Sequence, residues 1–85
     1  MGAYRVFFKR SALKELEALP KKDLKRILAA IEALSTNPRP PQARKLCAAE
    51  KYRLRQGVYR VLYTIEDDKL VVCVVRVAHR RDAYR

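Results

Sequence analysis

No apolar run in the sequence approaches the roughly 20 residues that a membrane-spanning helix needs. The longest, Leu70 to Val75, is the size of a strand. The opening residues Met1 to Arg10 hold too short an apolar stretch, and no small-residue cleavage site, to read as a signal peptide. Position 6 is Val6 rather than Ser or Thr, which breaks the myristoylation pattern that Gly2 would start. Cysteine is scarce. Cys47 and Cys73 form no CxxC spacing and read as two reduced thiols of a cytoplasmic protein. With one histidine, His79, and no cysteine cluster, no metal site and no cofactor are expected. No set of carboxylates suggests two-metal chemistry. There is also no internal repeat and no low-complexity tract.

Acidic residues are the other shortage. Lys and Arg number 20 against 9 Asp and Glu, a net charge of +11. A chain of 85 residues has room for one domain, here 1–85, and its core must be lean. A hydrophobic fraction of 49% is ordinary for a folded domain and excludes intrinsic disorder.

Tyr4 to Phe8 is a β-rich run and predicts a first strand. Ser11 reads as a helix N-cap, followed by a stripe of Leu13, Leu16 and Leu19. Pro20 interrupts that stripe and is well placed to start a second helix. Leu24, Ile27, Leu28, Ile31 and Leu34 then follow helical spacing. Lys21, Lys22, Lys25 and Arg26 take the opposite side, most simply as a solvated face. Three prolines between Pro38 and Pro41 end the helix. Tyr52 to Arg55 and Val58 to Ile65 predict a β-hairpin turning at Gln56-Gly57. Glu66 to Lys69 is the next turn. Leu70 to Val77 predicts a central strand covered on both faces. The fold class is α+β, two-layered, with order β-α-α-β-β-β: a helical hairpin packed on a mainly antiparallel, twisted sheet.

The hairpin carries the functional signal. With Gln56-Gly57 as a two-residue loop, Arg53 opposes Arg60, and side-chain alternation puts Arg53, Arg55 and Arg60 on one face. Tyr52, Leu54, Tyr59, Val61, Tyr63 and Ile65 take the other, apolar face, which suits the helices. Directly opposed like charges destabilise a hairpin. The open face therefore reads as the place where an anion is the missing partner, unless acidic groups such as Glu50 or Asp82 neutralise it. A three-residue loop after Ile65 would bring Arg76 onto the same face; a two-residue loop would not. His79, Arg80, Arg81 and Tyr84 follow the last strand, whose end this order brings near the arginines. Guanidiniums bind phosphate bidentately and offset developing charge, and a tyrosine ring can stack on an unpaired base. A lone histidine and a terminal tyrosine are, by themselves, more often surface and packing residues.

Over essentially its whole length the chain resembles the RelE/ParE superfamily of bacterial and archaeal toxins, most closely the RelE-type ribonucleases. The resemblance is carried by Lys45-Leu46, by Tyr-Arg-Leu-Arg-Gln-Gly-Val-Tyr-Arg-Val-Leu-Tyr at 52–63, by the Asp67-Asp68 turn with the apolar strand after it, and by Val-Ala-His-Arg-Arg-Asp-Ala-Tyr at 77–84. It implies a small cytoplasmic toxin of a type II toxin–antitoxin pair that cuts mRNA on the ribosome without a metal. It implies a cognate RelB-like antitoxin, and an acidic one suits the charge. Such a partner would lie across the helical hairpin or over the arginine face. The resemblance also puts the first strand beside the last, at the sheet centre.

By position, Arg53 and Arg55 take the places of two strand lysines of that family. Arg60 matches the arginine of its Tyr-Arg pair, Arg80 the arginine after the last strand, and Tyr84 its C-terminal tyrosine. Lysine can lose its proton when its pKa is lowered, whereas arginine in practice cannot. The expected set is then His79 for proton transfer, Arg60 and Arg80 for charge stabilisation, and Arg53, Arg55 and Tyr84 for positioning RNA. Lys45, Arg76 and Arg81 would add nucleic-acid contacts. Two other readings share the fold: a ParE-like toxin that inhibits DNA gyrase by binding, and a non-catalytic RNA-binding module.

Overall fold

The apolar face predicted for the hairpin meets the apolar stripes of two helices, and this one contact organises the molecule. A computed structural model describes residues 3–46 and 51–79. Its elements are β1 (Arg5–Phe8), α1 (Arg10–Glu17), α2 (Lys21–Ala33), β2 (Ala43–Lys45), β3 (Lys51–Gln56), β4 (Tyr59–Glu66) and β5 (Val71–His79). They form one helical layer on a five-stranded sheet of order β1-β5-β4-β3-β2. The α+β layering holds, with one strand more than the sequence predicts: the short β2, paired to β3 at Ala43↔Leu54 and Arg44↔Arg53.

β1 runs parallel to β5, and the other pairs are antiparallel. A parallel pair needs a long crossover. Both helices, joined at Pro20, and then β2, β3 and β4 lie in the chain between the two strands. β1 does lie beside the last strand, but at the sheet's edge; β4 is the central strand.

Ile27, Ile31 and Leu34 bury one side of the α2 region against Leu54, Val61, Tyr63, Ile65, Val72 and Val74, all within 2% of complete burial. Each such aliphatic side chain contributes about 1.5–3 kcal/mol relative to exposure. From α1 the buried residues are Ala12 and Leu16, while Leu13 turns outward. Ser11 is not the N-cap. Lys9 holds that position, without a side-chain bond, and the Ser11 hydroxyl instead donates to the Val75 carbonyl at 3.4 Å.

That bond belongs to a larger arrangement. β1 ends at Phe8, so among the described residues the later half of β5 has no strand neighbour on that side. α1 takes its place. Lys9 N–H donates to the Val74 carbonyl at 2.9 Å. One helical turn after Ser11, the Glu15 carboxylate accepts from Val77 N–H at 2.9 Å and meets Arg76 Nε at 3.4 Å. Residues four apart share a helix face, so Ser11 and Glu15 together satisfy a bare strand edge.

Candidate nucleic-acid interface

The β3–β4 hairpin closes through Gly57-Val58, one residue later than the sequence suggests, with Gln56↔Tyr59 as the last pair. Gly57 has φ +60, a left-handed value that glycine adopts without strain. The register becomes Leu54↔Val61, Arg55↔Arg60 and Arg53↔Leu62. Arg60 therefore opposes Arg55, not Arg53. The face assignment survives, because moving the turn by one residue shifts the partners by two and preserves alternation. Arg53, Arg55 and Arg60 all stand on the face away from the helices.

Their environments differ. Arg55 is exposed and Arg53 half-buried. Arg60 is only 8% exposed, so the three do not form the uniformly open patch expected. Arg53 and Arg60 have interaction partners of their own. A buried guanidinium held by partners is a fixed one, and fixed charge is what stabilises charge developing on a ligand.

β2 adds an arginine that no motif in the sequence singles out. Arg44 opposes Arg53 directly, and the two share a cleft of about 240 Å³ with Arg55, Gln42 and Pro41. Lys45, the residue favoured from sequence, pairs with Tyr52 and so points to the helix side. Only the register of a three-residue strand distinguishes these neighbours, and no local pattern marks it. Lys51 also falls on the arginine face, whereas Glu66, the acidic position of β4 there, lies at the strand's far end and pairs with Lys69 at 3.3 Å.

β5 departs furthest from expectation. The loop between β4 and β5 has four residues, 67–70, neither two nor three. The pairing then shifts between Leu62 and Tyr63, a bulge that leaves Val75 with no opposite residue on β4. Arg76 comes opposite Leu62 on the arginine face, but its Nε lies 3.4 Å from Glu15. His79 pairs with Tyr59 and stacks edge-on against its ring, with centroids 5.8 Å apart. Tyr59 faces α2: its hydroxyl donates to Asp23 at 2.9 Å, and that bond holds the phenol above its ordinary pKa. His79 is therefore on the helix side, not gathered with Arg53, Arg55 and Arg60. Arg80, Arg81 and Tyr84 lie outside the described residues, as do Cys47, Glu50 and Asp82. Among the described residues, no group of His, Cys, Asp and Glu is placed to hold a metal ion.

The arrangement can bind successive anions and stabilise negative charge with bidentate donors. Comparison with known proteins gives the family. Residues 6–84 match the family model for the ParE toxin of the type II toxin–antitoxin system parDE. The toxin RelG of Mycobacterium tuberculosis is 39% identical over 90 aligned positions, covering 96% of this chain and 97% of that protein. The archaeal RelE–RelB complex from Pyrococcus horikoshii superposes with a TM-score of 0.85 at 30% identity, covering 95% of this chain and 99% of the other. The intact RelBE toxin–antitoxin complex of Escherichia coli gives 0.79 at 28% identity, covering 91% and 96%. A match of this extent in sequence and in fold shows that the chain belongs to the RelE/ParE superfamily and is a toxin of a type II toxin–antitoxin system.

Proposed function

We propose that this toxin is a metal-independent endoribonuclease that cuts mRNA on the ribosome, in the cytoplasm. The observation that carries the reading is the alignment of Arg53, Arg55 and Arg60 on one face of β3 and β4, with Arg60 buried. In the reaction the 2′-hydroxyl oxygen attacks the adjacent phosphorus and gives up its proton. The bond from phosphorus to O5′ breaks, and O5′ takes a proton. The products are a 2′,3′-cyclic phosphate and a free 5′-hydroxyl. Arg60 stabilises the charge that grows on the phosphorane oxygens, and Arg53 and Arg55 hold the backbone. None of these arginines serves as the base. His79 lies on the other face, so the role of proton carrier does not pass to it. Arg80 and Tyr84 keep the roles that the family resemblance implies.

A RelB-like antitoxin neutralises the toxin. The structural relatives in complex with RelB support that partner. A groove of about 460 Å³ between β1 and α2, lined by Tyr4, Val6, Phe8, Leu28 and Ile31, offers it an apolar seat. Val6 and Phe8 stand beside it on the unpaired edge of β1. Arg5 and Lys9 turn their N–H groups inward to β5, so alternation turns those of Val6 and Phe8 outward.

The matched family model favours a second reading, a ParE-like inhibitor of DNA gyrase. One experiment separates the two. The protein is incubated with translating ribosomes and mRNA ends are mapped by primer extension; in parallel it is incubated with gyrase and DNA. New mRNA ends carrying cyclic phosphate support the nuclease. Intact mRNA together with DNA breaks supports the gyrase inhibitor.

A further inference from the structure

Like charges placed directly opposite one another across a β-ladder weaken it. This sheet does so twice in succession, at Arg55↔Arg60 and at Arg44↔Arg53. In each pair the Cβ atoms stand about 4.5–5.5 Å apart. The two pairs are joined through β3, where Arg53 and Arg55 lie two residues, about 7 Å, apart on the same face. The result is a diagonal of four guanidiniums crossing β2, β3 and β4. The outer end of the diagonal opens into the cleft of about 240 Å³ lined by Arg44, Arg53, Arg55, Gln42 and Pro41.

The composition of the cleft selects its ligand. Two planar guanidiniums side by side present paired N–H donors that match the oxygens of one phosphate. The Gln42 amide adds a neutral donor at the rim. Three of its five lining residues are arginines and a fourth is an amide, with Pro41 the one apolar side chain, so the cleft suits charged backbone better than nucleobase. The step along the diagonal is one that successive phosphates of an extended single strand can match. Arg44 is exposed on β2, an edge strand of the sheet.

We infer that Arg44 and Arg53, assisted by Gln42, hold the RNA phosphate next to the one held by Arg55 and Arg60, so that two successive phosphates are gripped across three strands. This rests on the ribonuclease reading and assigns its substrate a second subsite. Arg44 is a binding residue here and takes no part in bond cleavage.

The test uses the full chain and short oligoribonucleotides blocked against cleavage by a single 2′-deoxy position. One oligonucleotide is fully charged. Others carry a neutral methylphosphonate at one linkage, on either side of the blocked position. Arg44→Gln is expected to weaken binding of the fully charged strand about tenfold, the scale of one hydrogen bond to a charged group. It should also lower the slope of log affinity against log salt by about 0.7, one single-strand phosphate contact. With the neutral linkage at the neighbouring position, Arg44→Gln should cost nothing further. The same loss with every oligonucleotide would mean diffuse charge and overturn the subsite, as would no loss at all. Loss only when ribosomes are present would place the phosphate in ribosomal RNA and overturn it too. In all three results the wild type still binds, so the ribonuclease reading stands. A wild type that binds no oligonucleotide, with or without ribosomes, overturns that reading and the subsite with it. Arg44→Lys should restore the salt slope but not the full affinity, because the paired donors are missing.

Discussion

Arg39 grips Asp67 through two parallel hydrogen bonds, Nη1 to Oδ1 at 3.0 Å and Nη2 to Oδ2 at 2.8 Å. The contact ties the proline-rich segment after α2 to the turn between β4 and β5. Tyr4 donates its hydroxyl to the same carboxylate at 2.6 Å, and Arg39 Nε donates to the Tyr52 hydroxyl at 2.9 Å. Beneath them the Tyr63 hydroxyl donates to the Pro38 carbonyl at 2.8 Å, and burial pushes that phenol up to about 12. The segment that feeds β2, and therefore Arg44, is held in place by these bonds.

The Arg39 guanidinium, helped by Tyr4, holds the Asp67 carboxyl down at about 2. Its pKa is lower folded than unfolded, so the pair stabilises the fold above the unfolded value of about 4. That contribution is lost as pH falls from about 4 through about 2. Asp67→Asn is expected to lower the melting temperature at neutral pH and to reduce the further loss between those limits. Because both partners are partly exposed, the effect is modest and weakens with salt. Thermal melts across pH and ionic strength check this.

Glu15 acts as a substitute strand for β5. Glu15→Ala leaves Val77 N–H without its acceptor and is expected to cost about 1–3 kcal/mol. Glu15→Gln keeps an acceptor oxygen and should retain most of the stability. Hydrogen exchange at the Val77 amide, slow in the wild type and fast in the alanine variant, is the direct readout.

Arg60 should be the most sensitive of the described arginines. Arg60→Ala is expected to reduce mRNA cleavage on ribosomes by about 10²–10³-fold, the scale of losing one preorganised donor. Since Arg60 is buried, the melting temperature is measured alongside, and Arg60→Lys provides a charged variant that cannot bind bidentately.

His79→Ala is expected to leave cleavage in place, because the ring packs against Tyr59 on the helix side. The same primer-extension assay decides. Loss of cleavage with an unchanged melting temperature would show that the histidine reaches the site and that proton transfer belongs to it.

Leu28 is 40% exposed in the groove beside β1. Leu28→Asp puts a charge where an apolar antitoxin segment would sit. Neutralisation by the cognate antitoxin should weaken while mRNA cleavage continues. Titration of antitoxin into the cleavage assay measures both.

Much of this molecule follows from spacing alone. The helical stripe of Ile27, Ile31 and Leu34, and the separation of Arg53, Arg55 and Arg60 from Leu54, Val61 and Tyr63, are consequences of periods of 3.6 and 2. Closing the hairpin at Gly57-Val58 rather than Gln56-Gly57 leaves the second intact, because alternation survives a two-residue shift in pairing. What the sequence could not determine depends on register. Carried straight through from Glu66↔Val71, the pairing of β4 with β5 would have put His79 opposite Val58, on the arginine face, and Arg76 opposite Val61, on the helix face. One bulged residue, Val75, exchanges the two. On β2 the choice between Arg44 and Lys45 turns likewise on where a three-residue strand docks. Alternation is a property of each strand by itself, but which strand faces what is settled only when the backbones pair, and there a single bulge outweighs any local pattern.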